Sequence, residues 1–303
     1  MNNEIKGIEL VWLSQTDLTN LNAGEGGTNL VDVKKYSKNG IEYPYVSGQA
    51  MRFYLREAVR RSLSDGQFMC TPNDKGENCG EHEKCLNCDL FGYMLPKKGE
   101  GAGVRVSPVK VSTAMGQFPL DANSTVDFLT RKKRKEAGEK ASGDIVNVEL
   151  GVNLYKCGVS IDIERIGVVE ELDEETKVLD YKPFIDEMEK RERVNLVLRG
   201  IQFLSDYSKQ ARLLTDFTPD VILASTQQRY SHRLQKAFEF DEKGGLQLER
   251  FTAIVKDLQE YSDVYFGILP AVIPNEENVK NAAQECGLEV LRPNEVVTRV
   301  LLS

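Results

Sequence analysis

Between residues 146 and 163 the chain alternates apolar with other residues, and the alternation changes phase midway. Val146, Val148, Leu150, Val152 and Leu154 keep one parity, and Tyr155, Cys157, Val159, Ile161 and Ile163 keep the other. Side chains of a strand alternate between the two faces of a sheet, so a period of two predicts strand and excludes an amphipathic helix here. The phase change predicts a bulge, bend or turn within a long strand pair. Ile8, Leu10 and Trp12 in IKGIELVWL share one face of a first strand, and the glycine-rich SQTDLTNLNAGEGGTNL that follows reads as a loop. GVRVSPVKVSTAM reads as a strand with a proline irregularity, DVILAS as a short buried strand and VYFGIL as another.

Helical spacing enters at Ser47. Ser47 is a good N-cap, and Met51, Leu55, Ala58, Val59 and Leu63 form an apolar stripe behind it. A second helix is predicted from about Arg191 to Tyr207, with Val194, Val197, Leu198, Ile201 and Leu204 inward, and a third around Leu248, Phe251, Val255 and Leu258. Two terminal helical stretches close the chain. Residues 170–190 are acidic and loop-like. Residues 119–143 are polar, contain RKKRKEAGEK and are expected to protrude. The order strand, helix, two or more strands, helix, strand is the ferredoxin-like or RNA-recognition-motif-like βαββαβ pattern of an α+β fold. No internal repeat or long linker divides the chain. It is therefore read as one elaborated domain over 1–303, with a cysteine-rich insertion at 64–103 and another insertion at 115–143.

The chain has 303 residues, of which 41% are hydrophobic, enough for a sizeable core and too many for global disorder. Its formal net charge of -8 argues mildly against a nucleic-acid coat, although binding depends on where positive charge sits. No apolar run approaches a membrane span, and MNNEIKGIELVWL lacks the parts of a signal peptide. The expectation is a cytoplasmic protein whose clustered cysteines serve as metal ligands rather than disulfides.

Cys70, Cys79, Cys85 and Cys88 stand at C-x8-C-x5-C-x2-C. Zinc takes four tetrahedral ligands and is well served by thiolates, and Cys85-x2-Cys88 is the usual two-ligand knuckle. His82 is an alternative to Cys70 or Cys79, and unmetallated loop thiols are the alternative to a metal. A zinc deaminase would need H-x-E well upstream of P-C-x-x-C, whereas His82-Glu83-Lys84 runs straight into Cys85. Four thiolates imply a closed, structural site, a staple on a protruding loop. No HExxH, GxSxG or Walker sequence occurs, so no catalytic residue is assigned.

Gln49, Arg52, Arg56 and Arg60 share another face of the Ser47 helix. Its free N–H groups and dipole favour an anion, and the arginines extend that surface. The face could grip a nucleic-acid backbone, or be a solvated surface with pairs such as Glu57–Arg61. The RKKRK run has the same two readings. The aromatic RNP1 pattern is absent from every strand, so any RNA would be held by backbone and shape.

PYVSGQAMRFYLREAVRR, the cysteine pair running into CDLFG, and VRVSPVKVS together resemble the CRISPR-associated DevR group of the Cas-seven family. LYKCGVSIDIERIG and SKQARLLTDFTPDVILAS extend the resemblance over roughly residues 5–225. It implies an RNA-recognition-motif-like palm with a protruding thumb, in a backbone subunit of a type I Cascade surveillance complex, best type I-B. Copies of such a subunit polymerise along one CRISPR guide RNA beside the other Cascade subunits, and the guide pairs with target DNA in antiviral defence. Carried onto this sequence, the guide-gripping residues are Ser47, Gln49, Arg52 and Arg56, with Asn22, Thr28 and Asn29 from the glycine-rich loop and Lys209, Gln210 and Arg212 from SKQAR. The thumb is the 115–143 insertion, with Met115, Phe118, Arg131, Lys132, Lys133 and Arg134 able to touch nucleic acid. Related type III subunits cleave target RNA with a loop aspartate, for which Asp32 is the counterpart here; the type I wording implies a protein that is not an enzyme.

Overall fold

The computed structural model of the chain describes residues 4–20, 30–97, 101–120, 123–132, 143–205 and 213–303. In chain order, strands β1 (Gly7–Thr19), β2 (Leu30–Val31), β3 (Lys35–Lys38) and β4 (Ile41–Val46) lead into helix α1 (Gly48–Arg61). Helix α2 (Leu86–Phe91) and strands β5 (Tyr93–Lys97), β6 (Gly101–Arg105), β7 (Val109–Val111), β8 (Ala114–Gly116), β9 (Ser124–Lys132) and β10 (Gly143–Asp162) follow. Then come β11 (Val168–Leu172), β12 (Leu179–Pro183), α3 (Glu187–Ile201), β13 (Val221–Gln227), α4 (Leu248–Gln259), β14 (Ser262–Ile268), α5 (Glu276–Glu285), β15 (Val290–Leu291) and α6 (Pro293–Arg299). The protein is α+β, built on a large sheet whose central order is β13-β1-β10, all antiparallel, with β7 antiparallel on the far side of β10.

The phase change at residues 154 and 155 has a physical cause that a one-sided sheet would not supply. β10 is one continuous strand of 20 residues, and its neighbours change along its length. Gly143–Gly151 pairs with β9, while Gly151–Asp162 pairs with β1. Both faces of the central sheet are covered. Tyr155, Cys157, Val159 and Ile161 pack with Ile8, Leu10 and Trp12 against α1 and α3. Leu154 packs on the opposite face with Val11, Leu13, Val221 and Leu223 against α4 and the chain near Phe238. Leu154 is the one even-numbered residue of the pattern in that second core; Val148 and Leu150 are buried in neither core and Val152 is exposed, so the apolar parity switches where β10 leaves the α1–α3 core. The expected bulge is present, but on the partner: the β1–β10 register shifts between Thr16 and Thr19. β1 accordingly runs to Thr19, into what the sequence presents as loop.

α1 forms where Ser47 predicts it, with Ser47 Oγ accepting from Ala50 N at 3.3 Å. Met51, Leu55, Ala58 and Val59 are buried, as is Tyr54, whereas Leu63 is only half-buried. α3 packs across α1 at Gly200, where a Cβ would meet Val59 Cγ2 at 3.0 Å, so the glycine sets the approach. α3 starts a turn earlier than its apolar pattern suggests, because Asp186 caps it through Glu189 N at 2.8 Å. The acidic 170–190 stretch is not loop: it holds the β11–β12 hairpin and the first turn of α3. β12 is exposed throughout, so the hairpin lacks the alternation that burial on one face would impose.

Candidate nucleic-acid interface and metal centre

Cys85 caps α2 and Cys88 lies in its first turn, while Cys70 and Cys79 return from the preceding loop. The four sulfurs lie within 4.8 Å of one another. Cys70 Sγ is 3.9 Å and Cys79 Sγ 3.5 Å from Cys88 Sγ. Thiolates about 2.3 Å from a tetrahedral zinc would be about 3.8 Å apart, so the set lies close to the spacing such an ion needs. All six cysteines of the chain are free thiols. Cys70 N donates to Cys85 Sγ at 3.3 Å and Asn87 Nδ2 to Cys70 Sγ at 3.4 Å, an outer shell that suits thiolates. The hydrogen bond from Cys88 holds the Cys85 pKa well below that of an ordinary thiol. Of the ligand sets left open by the sequence, the structure assembles the four cysteines. His82 faces elsewhere, its Nδ1 3.1 Å from the Tyr93 hydroxyl.

The loop is not a protruding staple. All six residues of α2 are buried, and Leu86, Leu90 and Phe91 join the α1–α3 core. Asp89, fully buried, binds α2 to three other parts of the chain. Its Oδ2 accepts from Arg193 Nη1 on α3 at 2.6 Å, its Oδ1 accepts from Arg105 Nη2 on β6, and both oxygens accept from Gly167 N at 3.2 Å. Arg105 also donates to Val168 O at 2.7 Å and Arg165 O at 2.8 Å. Gly92 then turns at φ 66°, and a Cβ there would lie 2.4 Å from Arg105 O. The CDLFG stretch is therefore built of a candidate metal ligand, a buried charge centre, two core residues and an obligatory glycine. An aspartate within the apolar run LNCDLF, and an arginine at an inward position of GVRVS, were the available signals for Asp89 and Arg105.

The arginines of α1 face this insertion. Arg60 Nη1 and Nη2 hold its first strand of chain, donating to Thr71 Oγ1 at 2.8 Å, Cys70 O at 3.2 Å and Met69 O at 3.4 Å. Glu57 pairs with Arg60 at 3.1 Å, in place of the expected Arg61 pairing. Arg52 donates to Phe91 O and lies 5.8 Å over the Phe91 ring. Arg56, half-buried between them, has no hydrogen bond or ion pair among the described residues. Burial first, and then the neighbouring arginine, lower the pKa of both Arg52 and Arg56. Gln49, Arg52 and Arg56 form one side of a groove of about 610 Å³, and Pro72, Gly76, Asn78 and Tyr93 of the insertion form part of the other. A groove of this kind can take an anion.

The other expected contacts distribute differently. Met115 lies in β8, paired with Lys156 of β10 and Tyr45 of β4, and is thus a sheet residue. Phe118 packs on Phe240 and on the α4-side core. Arg131 and Lys132 end β9, which forms a hairpin with the first part of β10, opposite Asp144 and Gly143. On that hairpin Val126 is 51% and Phe128 66% exposed. Asp32 follows β2 directly. Asn22, Thr28, Asn29, Lys133, Arg134, Lys209, Gln210 and Arg212 lie outside the described residues. No helix among the described residues is long and apolar enough to cross a membrane.

Solved structures share the fold. A chain of a CRISPR RNA-guided surveillance complex is 15% identical with a TM-score of 0.59, the match covering 97% of this chain and 98% of that one. A chain of a CRISPR RNA-guided surveillance complex in a pre-nicking state is 13% identical with a TM-score of 0.60, covering 97% and 99%. No curated protein matches in sequence. The family described as "CRISPR-associated negative auto-regulator DevR/Csa2" matches residues 15–233, which include α1, the four cysteines, Asp89 and β10. The chain belongs to the CRISPR-associated DevR/Csa2 family.

Proposed function

We propose that the chain is a guide-RNA-binding backbone subunit of a type I CRISPR surveillance complex. Arg56 carries this reading. A guanidinium that is half-buried, unpaired among the described residues and flanked by Arg52 and Arg60 sits at an electrostatic cost that a bound anion relieves. An RNA backbone supplies a row of such anions, and Gln49 and Arg52 in the same groove would share them.

The succession β1-α1-β7-β10-α3-β13 supports an RNA-recognition-motif-like βαββαβ palm. The sheet face opposite α1 is filled by the α4-side core, so the RNA runs along the α1 groove and not over the strands. That placement accounts for the missing RNP1 aromatics. The β9–β10 hairpin belongs to the thumb, and Arg131, Lys132, Lys133 and Arg134 are its contacts to guide or target strand. Asn22, Thr28 and Asn29, together with Lys209, Gln210 and Arg212, complete the guide contacts. Further copies of the chain follow one another along the guide, other Cascade subunits cap the row, and target DNA pairs with the exposed bases. The metal at the four cysteines is zinc in a structural role.

The chain acts without catalysis in this reading, and Asp32 is its one rival. The native complex tests the assembly: it should be a ribonucleoprotein with several copies of this chain, by mass and by nucleic-acid absorbance. A protein-only particle would overturn the reading. Incubation with guide-complementary RNA and Mg²⁺ separates the rival, because regularly spaced cuts lost in Asp32→Ala would make the chain a nuclease.

A further inference from the structure

The groove has two walls from different sources. One is α1, with Gln49, Arg52 and Arg56. The other comes largely from the cysteine insertion, and its Pro72, Gly76 and Asn78 all lie between Cys70 and Cys79, two of the four metal-site sulfurs. Cys79 is exposed, as are Asn73, Asp74, Lys75 and Gly76 before it. The tip of the arc is a self-closed turn, with Asn73 N donating to Glu77 O at 2.9 Å and Glu77 N to Asn73 Oδ1 at 2.9 Å. What joins this turn to α2 and the chain beyond it is the sulfur cluster and a short ladder of amides: Asn87 Nδ2 to Asn78 Oδ1 at 2.9 Å, Asn78 Nδ2 to Gly92 O at 3.2 Å and Asn87 Nδ2 to Cys70 Sγ at 3.4 Å.

The arginines are tied to the same cluster. Arg60 holds the backbone of Cys70 itself, and Arg52 is fixed by the carbonyl of Phe91, three residues beyond Cys88. The Arg52 Nε is buried without a partner, so the side chain's place depends on Phe91. A cation drawing the four sulfurs together fixes the second wall and the anchor of Arg52 in one step.

We propose that the four-cysteine metal site and the arginine groove are one coupled unit, in which zinc at Cys70, Cys79, Cys85 and Cys88 and a phosphate backbone in the groove each strengthen binding of the other. This inference rests on the reading of the groove as an RNA site. Four thiolates around a divalent cation leave a net negative charge, which by itself opposes a phosphate. That repulsion acts across a solvent-open groove where salt screens it, whereas an unformed wall costs the ligand the ordering of a whole chain segment. The sign of the coupling is therefore positive. By linkage its size is the same read from either side.

The test uses the zinc-loaded full chain and a single-stranded uridine homopolymer as probe. Zinc loss to a chromogenic chelator is followed with and without saturating RNA, while emission from Trp12, the chain's one tryptophan and fully buried, reports global unfolding. Zinc should leave while Trp12 emission is unchanged, and RNA should slow that loss about tenfold. In Arg56→Ala, at an RNA concentration that saturates wild type, the protection should be mostly lost. In the reciprocal direction, Cys79→Ser should weaken RNA binding about tenfold. RNA that binds but leaves zinc loss unchanged overturns the coupling alone, as does tighter RNA binding in Cys79→Ser with Trp12 emission as in wild type. Zinc loss that occurs only with global unfolding also overturns it, because protection would then reflect general stabilisation. Absence of RNA binding to the zinc-loaded chain overturns the groove's reading and the coupling with it.

Discussion

Arg193 Nη1 on α3 donates a 2.6 Å hydrogen bond to Asp89 Oδ2, joining the second main helix to the short helix that carries Cys88. The same carboxylate neutralises Arg105, and both guanidiniums are almost completely buried. Removing one partner of such a group leaves uncompensated buried charge, which costs more than the pair itself contributes. Asp89→Ala should destabilise the protein by about 3–5 kcal/mol, read as a fall in the urea midpoint followed by Trp12 emission. A change below about 1 kcal/mol would show that water or a rearranged Glu189 replaces the carboxylate.

Gly92 combines a positive φ with a carbonyl where a Cβ would stand. Gly92→Ala should therefore cost roughly 1–3 kcal/mol or more, because relieving the strain requires β6 to move away from α2. Gly40, also at positive φ but with open space around it, is the control: Gly40→Ala should cost less. Equal losses would mean that φ alone matters.

Metal content follows from the sulfur geometry. The purified chain should hold one equivalent of zinc by elemental analysis, and Cys88→Ser should lose it and melt earlier. At free zinc a hundred times Kd, the lost stabilisation is about 2.7 kcal/mol. A Cys88→Ser protein that retained a full equivalent would show that another residue completes the site.

Glu9 predicts a pH dependence. Its carboxyl is fully buried on β1, and burial pushes its pKa up to about 7, against hydrogen bonds from Leu234 N at 3.0 Å, Gln235 N at 3.3 Å and Gln227 Nε2 at 3.2 Å. The folded chain therefore holds this proton more tightly than the unfolded chain. The contribution is fully present below the unfolded carboxylate pKa and is lost as pH rises through about 7, by about 3 kcal/mol in all. Glu9→Gln should flatten the fall in urea midpoint between pH 5 and pH 8. An unchanged slope would assign the titration to another group.

The sequence made α1, its cap and its apolar stripe legible because all three are local. It also exposed the strand character of β1, β10 and β13, whose central positions are apolar. The β11–β12 hairpin escaped because no face of β12 is buried, so nothing imposes a period on its residues. The phase change in β10 was visible but its meaning was not, since it falls where the strand leaves the α1–α3 core, whose other residues are far away in the chain. The four-cysteine cluster could be read from spacing, yet its place against α1 could not. That placement depends on Asp89 meeting Arg105 and Arg193, partners 16 and 104 residues away. The sheet position of Met115 and the packing of Phe118 were illegible for the same reason, their partners Tyr45 and Phe240 being remote in the chain.

Whether the α1 groove grips an RNA backbone is decided most directly at Arg56. Arg52 and Arg60 each hold part of the cysteine insertion, so replacing them would disturb the fold, whereas Arg56 has no such bond among the described residues. The measurement is the affinity of the folded chain for single-stranded RNA across a salt series, in wild type and Arg56→Ala. Binding should be about tenfold weaker in the variant, with a log–log salt slope smaller by about 0.7 because one fewer phosphate is neutralised, and with the melting temperature unchanged. Equal affinity and an equal slope in the two proteins would refute the groove as an RNA site.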